Sequence, residues 1–234
     1  ESAGDDRLRI RFDTAGFVLL ALGLTGLLGA LETVGKGLIP AGASWALAAA
    51  GTVALGTYAL RSRPSAAPLI DLGILRVRTY RASVLGGLPL RLAIGASPFL
   101  LPLMLQLGFG LSPLESGLLT VATALGSLAT RFVIARAMRR IGFRSLLIGA
   151  SAMTSLIYAS YGLFTPDTPH ALIFVTLLAG GLVNSLGMVS LQTLAFTDIP
   201  KPRMSHATTL SSMAQQLSVS IGVVLGGALV TAAA

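Results

Sequence analysis

Seven long apolar runs are the feature of this 234-residue sequence that most constrains its fold. Each run holds roughly 19 to 28 residues, enough for a helix rising about 1.5 Å per residue to cross a hydrocarbon core of about 30 Å. Leu, Ala and Gly dominate the runs without a two-residue alternation, which favours helices over strands. We therefore predict an all-α, polytopic bundle of seven transmembrane helices over segments 14–35, 42–60, 80–107, 114–135, 145–164, 170–197 and 207–231.

The composition excludes several other classes of protein. Hydrophobic residues make up 53% of the chain and charged residues 11%, whereas soluble domains carry about 25% charged residues. The net charge is +8, but the basic residues are spread between apolar runs without a stacking motif, so we expect no nucleic-acid partner. The chain has no cysteine, and its two histidines, His170 and His206, lack metal-ligand spacing. We therefore predict neither a disulfide nor a metal site.

The basic residues alternate from one connection to the next. Fourteen of the 17 Lys and Arg residues precede the first, third, fifth and seventh segments, while the remaining connections hold only Lys36. Connections rich in Lys and Arg stay on the cytoplasmic side of a membrane. We therefore expect a multi-pass protein of the cell (inner or plasma) membrane, surrounded by lipid, with residue 1 in the cytoplasm.

The longest polar break divides the chain into three parts. Residues 1–61 form a cytoplasmic lead-in and a pair of helices, residues 62–79 form a linker along the cytoplasmic interface, and residues 80–234 hold five further helices. The chain begins at Glu1 without a signal peptide and stops within an apolar stretch. We expect it to be a fragment of a longer protein.

Six strings of the sequence point to one family. They are RIRFDTAGF at 9–17, PLIDLGILR at 68–76, LLPLMLQ at 100–106, LSPLESGLL at 111–119, IPKPRMSHAT at 199–208 and QQLSVSIGV at 215–223. In their order and spacing, these strings resemble the fourteen-helix, EmrB/QacA-type drug:proton antiporters of the major facilitator superfamily.

The resemblance implies a partial major facilitator fold. The first two helices would be the central pair that joins the two halves of such a transporter, and the next five would open its carboxyl-terminal half. The partners would be a small hydrophobic substrate, protons and the missing amino-terminal half of the same chain. A proton gradient would supply the energy, so no cofactor is expected.

The resemblance also assigns a cytoplasmic loop motif to residues 135–144. The positions that fit the family's motif are Arg136, Arg140, Gly142 and Arg144. Arg139 stands where the family has an acidic residue, which puts the charge relay of this loop in doubt.

The residues themselves suggest a translocation path. Arg91 follows Arg81 by ten positions, or about 15 Å of helix, which places a charge near mid-membrane, where it is a functional candidate. Asn184, Gln215 and Gln216 reach a similar depth on two other helices, and transporter sites lie near the midplane. Interhelical hydrogen bonding is the competing role for these amides. Because Gln215 and Gln216 differ by about 100° around a helix, at most one of them faces a cavity squarely.

Small residues mark a contact between helices in the last segment. Gly222 and Gly226 have the spacing that lets two helix backbones approach closely, and Gly227 follows them. Either a sliding contact or static packing would use this pattern.

The function that the resemblance implies is proton-coupled efflux of hydrophobic, often cationic, drugs by alternating access. A facilitator-type exporter of an endogenous metabolite is the alternative. A polytopic membrane enzyme is disfavoured because no segment carries paired aspartates, a nucleophile with its base, or metal ligands, so we predict no enzymatic activity. A non-transporting sensor would carry a soluble signalling domain, and none is evident.

Overall fold

The computed structural model describes residues 13–33, 39–62 and 69–233, and every regular element in these ranges is helical. Short 3₁₀ helices cover Leu72–Arg76 and Lys201–Arg203, and a π-helical turn covers Met104–Gly108. The α-helices are α1 (Thr14–Thr33), α2 (Ala41–Ser62), α3 (Arg78–Gly86), α4 (Leu88–Leu103), α5 (Pro113–Ile141), α6 (Phe143–Tyr161), α7 (His170–Phe196) and α8 (Met204–Ala233).

The predicted all-α membrane bundle is confirmed. Six helical segments in the described ranges are long and apolar enough to cross a membrane, and they are Thr14–Thr33, Gly42–Ser62, Arg78–Gly108, Pro113–Ile141, His170–Phe196 and Lys201–Val230. The remaining predicted segment, 145–164, falls on the 19-residue helix α6. Serine, threonine and tyrosine residues, with Arg144 near its start, make α6 less apolar, so length and composition give six spans rather than seven.

The chain divides into two compact units. Unit one consists of residues 1–75 and 200–213, and unit two consists of residues 76–199 and 214–234. The predicted boundaries after residues 61 and 79 fall on either side of the division after residue 75.

In unit one, α1 and α2 form an antiparallel pair. Near the middle of the pair the two backbones touch, and a Cβ added to Gly51 would lie 2.7 Å from the nitrogen of Leu27. Asp13 caps the first helix by accepting a hydrogen bond from the Gly16 nitrogen over 2.9 Å. Trp45, near the start of α2, is 69% exposed, as is usual for a tryptophan at a membrane interface.

Residues 70 and 71 of the predicted interfacial linker contact α2 and the 3₁₀ helix Lys201–Arg203 within unit one. The hydroxyl of Tyr58 in α2 donates to the carbonyl of Ile70 over 3.0 Å and accepts from its nitrogen over 2.7 Å. Asp71 forms an ion pair with Arg203. Residues 63–68 of the linker lie outside the described ranges.

In unit two, two pairs of helices make backbone contact at glycines. A Cβ added to Gly126 in α5 would lie 2.8 Å from the Leu182 nitrogen in α7. A Cβ added to Gly95 in α4 would lie 2.6 Å from the Val219 Cα in α8. Any larger residue at Gly95 or Gly126 would therefore force the paired helices apart.

Local sequence signals fix where α5 begins and ends. Ser112 and Glu115 form a reciprocal capping box at its start, with Pro113 at the first helical position. Gly142 ends the helix at φ 79° and ψ 157°, a conformation that favours glycine. The chain enters α6 directly afterwards, so a single residue links the two helices.

Candidate functional site

A cavity of about 600 Å³ lies within unit two, and helices α4, α5, α6, α7 and α8 all contribute to its wall. Its lining combines apolar side chains with hydroxyl and amide groups. A concave, mostly apolar space of this size with a few polar groups is the usual form of a small-molecule site. The lining residues are Ile94, Ser97, Pro98, Leu101, Pro102, Thr120, Thr123, Ala124, Ser127, Tyr158, Tyr161, Gly181, Asn184, Ser185, Met188 and Gln215.

The hydroxyl of Tyr158 links side chains from three helices into one hydrogen-bonded chain. Ser97 Oγ in α4 lies 2.7 Å from this hydroxyl, and Asn184 Nδ2 in α7 donates to it over 3.1 Å. Thr154 Oγ1, one turn before Tyr158 in α6, donates to Asn184 Oδ1 over 3.1 Å. The amide of Asn184 is therefore held at both its oxygen and its nitrogen, which fixes its orientation in the cavity wall.

Tyr161 forms the next part of the wall. Its ring meets the ring of Tyr158 edge to face, with a centroid separation of 5.4 Å and an interplanar angle of 90°, an arrangement that aromatic pairs prefer. Its hydroxyl lies against Gly180, where any larger residue would displace it. Among the described residues this hydroxyl has no hydrogen-bond partner, so it is free to bond a ligand.

Two prolines in α4 remove the usual helical partners of two backbone carbonyls whose residues line the cavity. Pro98 and Pro102 have no N–H, so the carbonyls of Ile94 and Pro98 cannot accept the usual helical bond from four residues further on. All three residues line the cavity. Shortly after Pro102 the helix widens into the π turn Met104–Gly108, a departure from α geometry that often occurs at functional sites.

A second cavity in unit two, of about 860 Å³, has an almost entirely apolar wall. It shares Ser97, Leu101, Tyr158 and Tyr161 with the first cavity. Its other lining residues are Ala93, Ala96, Leu100, Leu103, Met104, Leu107, Gly108, Gly162 and Val230. Because the hydrogen-bonding groups are concentrated in the first cavity, we take that one as the candidate functional site.

The structure places Arg91 away from both cavities. Its side chain is 2% exposed, and Nη1 lies 3.0 Å from the carbonyl oxygen of Val84 and 3.4 Å from that of Ser83. These carbonyls belong to the last turn of α3, which ends at the break between α3 and α4. A cation at that position stabilises the carboxyl end of a helix. Its Nε is buried, and no described residue accepts from it.

The other predicted path residues divide between wall and surface. Asn184 and Gln215 both line the candidate cavity, whereas Gln216 is exposed and is not among the lining residues. The structure thus brings together two of the four predicted side chains.

The glycines of α8 differ in how closely α4 approaches them. An added Cβ at Gly222 would meet the backbone of α4, including the Ala96 nitrogen at 3.2 Å. At Gly226 the nearest atom would be Cγ of the Leu100 side chain at 3.2 Å, and at Gly227 only Phe99 Cε1 comes near, at 3.9 Å. Of the three glycines, only Gly222 therefore lies where the backbones of α4 and α8 touch.

Comparison with known proteins identifies the family. Residues 83–233 match the family model of the Major Facilitator Superfamily. The chain belongs to this superfamily.

Three relatives carry the provisional name multidrug resistance protein MdtD. The protein from Pectobacterium atrosepticum is 36% identical over 219 residues, which cover 94% of this chain and 47% of that protein. The proteins from Serratia proteamaculans and Escherichia fergusonii are each 36% identical, over 221 and 223 residues, covering 94% of this chain and 46% of each relative. The chain thus spans about half the length of the curated relatives it matches.

The residues predicted to form a cytoplasmic loop motif, 135–144, cover the end of α5, the linking residue Gly142 and the start of α6. Gly142 makes the turn, and the three arginines Arg136, Arg140 and Arg144 are exposed. Arg139, at the position where an acidic residue was expected, is also exposed, and the ion pairs among the described residues do not involve it.

Four polar residues of the site were not singled out from the sequence, namely Ser97, Thr154, Tyr158 and Tyr161. Tyr158 and Tyr161 follow one another at helical spacing, which is also typical of ordinary apolar packing. Their partners lie on other helices, so no local pattern marks them. Within the described residues no group of three or more His, Asp and Glu side chains could hold a metal ion.

Proposed function

We propose that the complete protein is a proton-coupled exporter of hydrophobic, often cationic, drugs, built on the fourteen-helix EmrB/QacA plan of the superfamily. Residues 1–61 would then hold the central helix pair, residues 62–79 the cytoplasmic linker, and residues 80–234 the first five helices of the carboxyl-terminal half. The name that the MdtD relatives share supports drug export, and their greater length supports a chain with further helices. The transporter would lie in the cell membrane with residue 1 in the cytoplasm.

The observation that carries this proposal is the cavity of about 600 Å³ among helices α4 to α8. Its size suits a drug-sized molecule, since ligand sites usually measure about 300–1,000 Å³. Its wall offers apolar surface together with a small number of hydrogen-bonding groups, which suits molecules of varied shape. Transporters of this kind bind substrate near the membrane midplane and expose the site to each side in turn.

The polar residues take different parts in this proposal. Asn184 and Gln215 line the cavity, so we assign them contact with substrate. Arg91 bonds the last turn of α3, so we assign it a positioning role at the break between α3 and α4. Gln216, next to Gln215 in α8, is exposed and does not line the cavity, so we assign it no role in binding.

Proton coupling requires a group that changes its protonation state during transport. No carboxylate or histidine lines the cavity, so this proposal places the coupling acid in the other half of the transporter. The partners are the amino-terminal half of the same chain, the lipid bilayer, the substrate and protons, with the proton gradient as the energy source.

The test uses the full-length transporter in cells that lack their own drug pumps. We expect cells expressing it to extrude the cationic dye ethidium, and a protonophore to abolish the extrusion. Arg91→Ala should lower extrusion several-fold because the carbonyls at the end of α3 lose their donor, while Arg91→Lys should keep more activity. Arg131→Ala, which removes an exposed arginine from α5, serves as the matched control.

The outcomes separate the parts of the proposal. Extrusion that persists with the protonophore would contradict proton coupling. Full extrusion by a well-expressed Arg91→Ala variant would contradict the role of Arg91. Wild-type protein that is well expressed but extrudes no drug or dye would contradict drug export and favour the export of a metabolite.

A further inference from the structure

We propose that the wall of the unit-two cavity binds the uncharged, amphipathic members of the exporter's substrate range, those bearing a carbonyl or ether oxygen, and that the Tyr158–Asn184 pair with the Tyr161 hydroxyl is its recognition group. This inference rests on the proposed export function and adds a substrate class to the same site. It also adds Tyr158 and Tyr161 as specificity-determining residues.

The charge distribution around the cavity is the first argument. Its 16 lining residues include no Asp, Glu, His, Lys or Arg. The buried cation in α4, Arg91, donates to the carbonyl of Val84 instead of lining the cavity. A charged ligand placed against this wall would lose its hydration without meeting an opposite charge, which is costly at membrane depth. An uncharged ligand avoids that cost, whereas a cationic drug would rely on the acid that the proposed function places in the other half of the transporter.

The hydrogen-bonding capacity left in the wall is the second argument. The Asn184 amide has two N–H groups, and the structure gives one of them to Tyr158. The second is available on a side chain whose orientation Thr154 fixes through a bond of 3.1 Å to the amide oxygen. The Tyr161 hydroxyl adds another donor without a partner among the described residues. These two donors, of which the Asn184 amide is held in orientation, match the two lone pairs of a ligand oxygen.

The remainder of the wall suits the body of such a ligand. Leu101, Met188 and Ile94 provide apolar surface, and the edge-to-face pair of Tyr158 and Tyr161 provides aromatic surface. Methionine adapts to ligands of different shapes because its side chain is unbranched and flexible. A ligand whose polar oxygen lies at the tyrosines and whose apolar body lies across α4 and α7 would therefore match both the hydrogen-bonding part and the apolar part of the wall.

The experiment compares two dyes in the full-length transporter. Nile red is uncharged and carries a carbonyl oxygen, whereas ethidium is a permanent cation. We expect Tyr161→Phe, which removes the unpartnered donor, to lower Nile red efflux by about three- to tenfold, the range that corresponds to one lost hydrogen bond, and to change ethidium efflux less. Asn184→Asp should lower Nile red efflux and raise ethidium efflux, since it adds a negative charge to a neutral wall.

Gln192→Glu is the matched control. It makes the same change from amide to carboxylate on α7, but Gln192 is exposed and is not among the lining residues. We expect the ratio of ethidium to Nile red efflux to rise at least threefold in Asn184→Asp and to stay at the wild-type value in Gln192→Glu. The same shift in both variants, or in neither, would overturn the proposal.

A binding measurement gives the same answer without transport. A ligand that binds only the folded protein raises its unfolding temperature. Nile red should therefore raise the unfolding midpoint of the purified full-length transporter, and the shift should be smaller in Tyr161→Phe. Equal shifts in both proteins would overturn the assignment of Tyr161. If the wild type exports ethidium but neither binds nor exports Nile red, the substrate class is wrong while drug export stands.

Discussion

The helices of unit two use glycines and polar residues for different purposes. Glycines allow helix backbones to touch, whereas polar side chains line the cavity. At the glycine contacts, made by Gly126 between α5 and α7 and by Gly95 and Gly222 between α4 and α8, the backbones touch. Around the cavity, hydroxyl and amide side chains from several helices occupy the wall. One backbone contact, Gly181 of α7 against Thr123 of α5, borders the cavity itself, since both residues line it. The difference indicates that the glycines set the shape of the cavity and the polar residues set its chemistry.

The largest effect is expected when a glycine contact is broken. Gly126→Val would place a branched side chain against the α7 backbone, where an added Cβ already lies 2.8 Å from the Leu182 nitrogen. Because backbone atoms cannot rotate away, we expect a loss of about 3 kcal/mol or more in stability. The measurement is the yield of monodisperse full-length protein and its unfolding midpoint.

A control for this change is available on the same helix. Gly117 lies in α5 with no atom within 4 Å of an added Cβ, so Gly117→Val should leave the yield near that of the wild type. Equal losses in both variants would contradict the importance of the backbone contact.

The glycines of α8 allow a graded test of the same idea. Replacement by alanine should destabilise the protein at Gly222 by about 1–3 kcal/mol, because the Cβ would meet the α4 backbone. The loss should be smaller at Gly226, where only the Leu100 side chain must move, and Gly227→Ala should be neutral or stabilising by up to about 1 kcal/mol. Unfolding midpoints that fail to follow this order would show that α4 and α8 are not held by backbone contact.

A moderate effect is expected when the support of the recognition group is removed. Thr154→Val deletes the 3.1 Å bond to Asn184 Oδ1 at a position that is 3% exposed and does not line the cavity. We expect a loss of about 1 kcal/mol in stability and a higher KM for Nile red with a nearly unchanged kcat. Lower kcat with unchanged KM would contradict a role in orienting the amide.

The smallest effect is expected at a residue of the cavity wall whose hydroxyl already has a hydrogen-bond partner within its own helix. The hydroxyl of Ser127 bonds the carbonyl of Ala124 over 2.8 Å. Ser127→Ala should therefore change stability by no more than about 0.5 kcal/mol and leave efflux of both dyes at the wild-type level. A marked loss of efflux would show that this hydroxyl turns to the ligand during transport.

The sequence predicts the helices of this protein well, because each apolar run is long and its ends carry clear signals. The predicted segment 114–135 lies within α5, whose start is marked by Ser112, Pro113 and Glu115. The break within segment 80–107 was harder to predict, since apolar residues continue on both sides of Gly87. That break decides the environment of Arg91, because it leaves the end of α3 within reach of the guanidinium. Depth in the membrane alone therefore predicted its burial but not its partners.

The cavity was predictable only in part. Depth along the helices pointed to Asn184 and Gln215, and both line it. Tyr158 could not be found in this way because its partners lie 26 and 61 residues away along the chain. Which of the two neighbouring glutamines faces the cavity depends on the rotation of α8, which is set by its packing against α4.

Trp45 has an optical consequence for experiments on this chain. It is the single tryptophan in the sequence and is 69% exposed near the start of α2, whereas the aromatic side chains of the cavity are the tyrosines Tyr158 and Tyr161. Tryptophan emission of this 234-residue chain comes from Trp45 and therefore reports on the surroundings of the first helix pair. A fluorescent reporter of the cavity has to be introduced there, for example at Met188, after Trp45 has been replaced by phenylalanine.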